Sequence, residues 1–196
     1  CDPDPSQFND KTWLMSPWVS KVGDKTVFDL AHMEYHGWSD VPRHANCENA
    51  STGQPYERSP EPQLCWYNAI LLLKSIDGGA TFQHALPPPH HLVASAPYRY
   101  SDGADGVPNV GMGYGDMSNV HLSEADGYLY VFANSRNNYK DMKQGHCLMR
   151  TRPEELSDPK SWRGWDGAKF SVAFANPYLE AVAAPARHVC APLNIS

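Results

Sequence analysis

Ser75-Ile76-Asp77-Gly78-Gly79-Ala80-Thr81-Phe82 stands just past the apolar run Ala69-Ile70-Leu71-Leu72-Leu73. The stretch reads as a strand entering a tight turn and leaving as a second strand. Asp77 can bond the backbone downstream of it, and Gly78 and Gly79 tolerate the positive φ such a turn needs. Ser75 and Thr81 flank the turn with hydroxyls, and Phe82 returns the chain to a core. By periodicity alone the Ala69–Leu73 run also fits a segment of buried helix. The run is read as the third strand, with the buried helix as its alternative.

Composition agrees with many short strands. Only 19% of the 196 residues are charged, 11% are aromatic, and the chain holds 14 glycines and 17 prolines. That mix suits strands joined by turns, and the length suits a single domain with a true core. The net charge of −6 comes without a basic cluster, which argues against nucleic acid as a partner. No apolar run approaches the length of a membrane span. No signal-peptide pattern precedes the body of the chain, so Cys1 reads as a mature terminus or as a cut through a longer protein.

The five cysteines show no metal-type Cys-x-x-Cys spacing. Cys47 and Cys65 bracket a loop rich in Pro and Ser and are expected to form a disulfide. Asn49-Ala50-Ser51 and Asn194-Ile195-Ser196 are acceptor patterns for N-glycosylation at Asn49 and Asn194. Together these features point to an extracellular, secreted protein.

The remaining chain divides into two similar rounds. Strands are expected over 13–19, 26–35, 65–75 and 81–86, with a loop excursion over 37–64. Pro87-Pro88-Pro89 ends the first round. The second places strands over 118–122, 128–134 and 145–151, with a turn region over 153–160. Thr26-Val27-Phe28-Asp29-Leu30-Ala31 aligns without gaps on Tyr128-Leu129-Tyr130-Val131-Phe132-Ala133, and Ser16 then falls on Ser118. Ser95-Ala96-Pro97-Tyr98 and Ala175-Asn176-Pro177-Tyr178 form matching connectors. A repeated unit of four antiparallel strands is the pattern of a propeller blade; a β-sandwich is the other all-β architecture with such alternation. The fold expected is an all-β propeller segment, with blade-like repeats over 13–86 and 115–172 and a partial next blade over 173–196. A closed propeller needs at least four blades, so a partner chain or a missing segment is expected to complete the ring.

Several segments carry a family likeness. Ser-x-Asp-x-Gly-x-Thr-Phe at 75–82 resembles the Asp-box of sialidase-like propellers. Trp13 to Gly37, Cys65-Trp66-Tyr67-Asn68, Gly113-Tyr114-Gly115-Asp116-Met117-Ser118-Asn119-Val120 and Gly145 to Gly167 are similar to secreted five-bladed propellers of glycoside hydrolase families 43 and 32. The likeness covers most of residues 6–178. It implies a carbohydrate-active protein whose carboxylates surround a central axis. It also implies that the first acid of such a site would fall before Cys1, so part of the site is expected here. The alternative expectation is a non-catalytic carbohydrate-binding or assembly module.

The densest functional cluster is His32-Met33-Glu34-Tyr35-His36. On a strand, His32, Glu34 and His36 share one face. Glu34 fits a proton donor or a sugar-hydroxyl acceptor tuned by a histidine, and a hydrogen-bonded cluster between blades is the structural counterpart of that reading. Two histidines and a glutamate also match metal chemistry, which needs a further ligand; no metal site is assigned and no cofactor, calcium included, is indicated. Asp116 is the second catalytic candidate, since the resembling families point an acid at the axis here; capping a turn is its other role. Asn119 would support it. His32, His36, Trp38, Trp66, Tyr67 and Tyr114 are the candidate substrate-binding residues, the aromatics because sugar faces stack on such rings. Trp13, Trp162 and Trp165 are expected in the core. Arg99 and Arg136 fit a carboxylate on an acidic sugar and read first as surface charge. His90-His91 is expected in a solvated loop.

Overall fold

The structure, a computed structural model, describes residues 2, 4–37, 65–100, 111–136 and 138–193. Trp38, Cys47, Asn49 and Asn194 lie outside the described residues. Eleven strands form one open, mixed sheet: β1 (Lys11–Trp18), β2 (Val27–His36), β3 (Trp66–Ser75), β4 (Gln83–His84), β5 (Leu92–Ser95), β6 (Met112–Gly115), β7 (His121–Leu122), β8 (Leu129–Ser135), β9 (Gly145–Thr151), β10 (Arg163–Trp165) and β11 (Phe170–Val172). The main path runs β1-β2-β3-β6-β8-β9-β10-β11, with β4 and β5 pairing β3 and β7 pairing β8. Short 3-10 turns are the only helical elements among the described residues, and none is long and apolar enough to cross a membrane.

Burial follows the sequence pattern strand by strand. β3 is apolar for most of its length because it lies inside the sheet with both faces covered. This settles the Ala69–Leu73 run as strand: Ala69, Ile70, Leu71, Leu72 and Leu73 pair in unbroken register with Met33, His32, Ala31, Leu30 and Asp29. β1, with a neighbour on one side only among the described residues, leaves Trp13 and Leu14 exposed. The expected strand over 81–86 shortens to Gln83–His84, and that over 118–122 to His121–Leu122.

The aligned segments of the two rounds each lie in an antiparallel ladder, β2 on β3 and β8 on β9. Ala31 faces Leu71, and its counterpart Ala133 faces Cys147. Ser16 pairs with Leu30 just after a shift in the β1–β2 ladder. Its counterpart Ser118 donates its N–H to the Phe132 carbonyl at 2.9 Å and accepts the Phe132 N–H on its Oγ at 3.0 Å. The irregularity is larger in the second round, where Asp116 takes a φ of 45° and separates β6 from β7. The counterparts also touch each other, since Ser16 Oγ donates to the Ser118 carbonyl at 2.6 Å. The matching connectors lie together too: Ser95 Oγ donates to the Ala175 carbonyl at 3.2 Å, and Tyr100 N–H to Tyr178 Oη at 2.8 Å.

The 75–82 turn closes on its own polar groups. Asp77 accepts from Ser75 Oγ at 2.7 Å, from Thr81 N at 3.0 Å and from Thr81 Oγ1 at 2.7 Å. These bonds hold its carboxyl well below the usual range. Gly78 and Gly79 take φ of 83° and 93°, as the turn requires.

A disulfide that spacing did not reveal joins Cys147 on β9 to Cys190 near the end of the described chain. It fastens the tail across a separation of 43 residues, a loop closure of about 4 kcal/mol in the chain-entropy account. Cys65 is disulfide-bonded as well; Cys47, its expected partner, is among the residues not described. His91, expected in solvent, is fully buried with Nε2 on the Phe8 carbonyl at 3.0 Å.

β3 and β6 run parallel and unusually close. A Cβ on Gly113, whose φ is 116°, would lie 1.9 Å from the Asn68 carbonyl oxygen. Gly113→Ala is therefore expected to destabilise the fold by about 3 kcal/mol or more, from overpacking and left-handed strain together, as read by denaturant unfolding.

Asp29 supplies a second prediction. Its burial raises the carboxyl to about 6, against the opposing bonds from the Met15 and Ser16 N–H groups. The folded state then holds a proton that the unfolded chain has released. Stability should therefore fall as pH rises from about 4 to about 6, and Asp29→Asn should remove that slope in melts across the window.

Candidate functional site

The three alternating side chains of β2 do converge. His36 Nε2 lies 3.0 Å from Glu34 Oε2, and His32 Nε2 lies 3.7 Å from Glu34 Oε1. Lys11, paired with Glu34 across the β1–β2 ladder, places Nζ 2.7 Å from His36 Nδ1. An ammonium only donates, so His36 accepts at Nδ1 and carries its proton at Nε2, donating to Glu34. Asp10 takes the His36 backbone N–H at 3.4 Å.

The second round supplies the far side. Asp116 Oδ1 lies 3.6 Å from His32 Nδ1, and Asp116 Oδ2 pairs with Arg136 Nη2 at 2.8 Å. The His32 imidazole thus stands between Glu34 and Asp116. It fits because the residue beneath it is Gly115, where a Cβ would come within 2.4 Å of His32 Nε2. Burial lowers the His32 pKa; Glu34, Asn68 and Asp116 oppose that in decreasing order, and Arg136 adds to it. The ring is a neutral, enclosed imidazole. Its carboxylate neighbours sit beyond hydrogen-bond distance, so it spaces the two acids without neutralising either.

Aromatic rings frame the cluster. Trp66 is paired with His36 in the β2–β3 ladder and meets it edge-on, with ring centroids 6.2 Å apart. The Arg136 guanidinium stacks over Trp66 at 4.7 Å, a cation–π contact. Trp13, expected in the core, is 44% exposed and tilts against His32 at 6.1 Å. It sits opposite His32 in the register, on the outer strand.

Two of the expected sugar-stacking residues are corrected. Tyr67 and Tyr114 are both fully buried. Tyr67 donates towards the Ala96 and Tyr98 carbonyls at 3.3 Å, and Tyr114 Oη accepts the Cys190 N–H at 3.1 Å. Both rings serve the core and present no face to a ligand. Asn119 is exposed, and its carbonyl accepts from Ser118 Oγ at 3.0 Å; among the described contacts none ties its side chain to the cluster. Arg99 bonds the Pro177 carbonyl at 3.1 Å and is structural. Lys11 and Asn68 are residues to which sequence reasoning gave no role in the site, and Arg136, read first as surface charge, joins them there. Arg136 stands where the repeat alignment puts Glu34, a signal present in the sequence. Asn68 follows Trp66 by two positions on a strand, and so shares its face.

Among the described residues no group of three or more His, Cys, Asp and Glu side chains is placed to hold a metal. A groove of about 450 Å³ lies elsewhere, lined by Leu92, Val93, Trp162, Phe174 and Leu179 with Glu180 as its one carboxylate; it brings no pair of acids together. Compared with known proteins, the chain matches no family model, no curated protein and no solved structure.

Gly115→Ala should drive the His32 ring from between the two acids. The expected readout is a shift of the His32 ring resonances by NMR, with near-wild-type stability if the imidazole can rotate outward.

Proposed function

We propose that this is an extracellular carbohydrate-active protein, built from the blades of a β-propeller, that cleaves glycosidic bonds with Glu34 and Asp116. The observation that carries the proposal is the convergence of these two carboxylates, one from each round of the repeat, on opposite nitrogens of one imidazole. Glycosidases use paired carboxyls about 5–9.5 Å apart, of the order of one imidazole ring with a contact on either side. Glu34, bonded to His36 and mostly shielded, takes the role of proton donor. Asp116, ion-paired with Arg136 and more open to solvent, takes that of the second carboxylate. Trp13, exposed beside His32, offers a ring face for a sugar.

The propeller reading draws support from the two antiparallel ladders, β2 on β3 and β8 on β9, in which the aligned segments of the two rounds lie. The Cys147–Cys190 bridge accords with an oxidising compartment, where glycosylation at Asn49 and Asn194 would occur. Completion of the ring falls to a partner chain or to a segment outside the present sequence.

A second reading is a non-catalytic glycan-binding module. It is favoured by the 2.8 Å ion pair that commits Asp116 to Arg136.

Turnover on a panel of plant, algal and bacterial glycans separates the two. Glu34→Gln and Asp116→Asn should each lower kcat by about 10²–10⁴-fold while glycan binding persists. A wild-type protein that binds glycans and cleaves none would favour the second reading, and one that neither binds nor cleaves any would dispose of both.

A further inference from the structure

The polar face that β2 and β3 share beside Glu34 holds more hydrogen-bonding capacity than its described contacts use. Asn68 is fully buried, and neither its Oδ1 nor its Nδ2 has a hydrogen-bond partner. The same holds for Trp66 Nε1, for Arg136 Nε and for His32 Nε2. These atoms belong to one face. Asn68 lies opposite Glu34 and Trp66 opposite His36 in the β2–β3 register, Arg136 stacks on Trp66, and Asn68 is near enough to His32 to favour its protonated form without reaching bonding geometry. A buried amide with both ends unpaired costs about 1–3 kcal/mol for each group. A core that needed only to be stable would place an apolar side chain here.

The charges around this face argue against an anion. Lys11 and Arg136 face Glu34, Asp116 and Asp10, so acids outnumber cations, and each cation is already engaged by a group of the cluster. A carboxylate or sulfate would meet this excess of negative charge. Paired donor and acceptor atoms on one amide instead match adjacent hydroxyls, which also donate and accept.

We propose that Asn68, Trp66 and Arg136 form a subsite for a single neutral sugar ring, with the Asn68 amide bound to two vicinal hydroxyls. The inference rests on the carbohydrate reading above and narrows its substrate to neutral sugars. Arg136 is the cover of this subsite. Its guanidinium is partly exposed and occupies the Trp66 face, the surface a sugar would stack upon. For a sugar ring to stack there, Arg136 has to turn off the indole while keeping Asp116, and the buried Asn68 amide has to be uncovered with it.

The test is binding of methyl glycosides of neutral hexoses and pentoses, compared with glucuronic and galacturonic acids, by calorimetry and tryptophan fluorescence. The neutral sugars should bind at least tenfold more tightly than the acids and alter Trp emission. Asn68→Leu, of similar volume, should lose at least tenfold in affinity while its Tm holds or rises, because an apolar residue removes the unpaired amide. Trp66→Phe keeps a ring under Arg136, removes one N–H and should also weaken binding; it decides alone if Asn68→Leu does not fold. Uronic acids binding as tightly as neutral sugars would overturn the subsite while leaving the carbohydrate reading standing, as would both variants binding like the wild type. Failure of every sugar to bind would remove both.

Discussion

The close passage of β6 along β3 is the constraint on which the rest depends. At Gly113 the backbone of the second round comes so near the Asn68 carbonyl that no side chain fits between them. Two residues on, Gly115 leaves the space in which His32 lies. One parallel pairing thus joins the two rounds into a single sheet and brings Asp116 to the cluster on β2. Glycine is required by contact here, and at Gly113 also by backbone conformation.

From that junction the polar site follows as a consequence of packing. β2 and β3 are central strands with both faces covered, and such strands are normally apolar. They are apolar at Leu30, Ala31, Ile70, Leu71 and Leu72, in mid-strand, and turn polar towards one end, at His32, Glu34, His36 and Asn68. Most polar groups buried at this depth are bonded, because leaving one unpaired is costly. Glu34 and His36 are bonded; Asn68 is not. Within one face, then, some polar groups are tied to each other and the Asn68 amide is left unpaired.

Much of the fold was legible because strand and turn chemistry is local. Asp77 with its glycines, and the alternation in β2 and β8, mark hairpins from neighbouring residues alone, and both 27–31 and 129–133 are strand, each paired antiparallel with the next long strand. The common face of His32, Glu34 and His36 also followed from the strand period. Tyr67 and Tyr114 show the limit. A tyrosine near a strand end looks the same in sequence whether its ring lines a pocket or fills a core, and only the packing of Phe8 against one and Phe174 against the other resolves it. Trp13 erred in the opposite direction, since exposure on an edge strand depends on what lies alongside.

By itself, then, the sequence determined the all-β class, the places of the longer strands, the 75–82 turn and the alternation that puts His32, Glu34 and His36 on one side. These are properties of short spans, set by backbone dihedrals and side-chain period. Only the tertiary structure decided that Asp116 and Arg136 meet that face, that Cys147 bonds Cys190, and that Asn68 is buried with its amide unpaired. Those facts join residues far apart in the chain, and no local preference specifies which distant strand a given strand will pass.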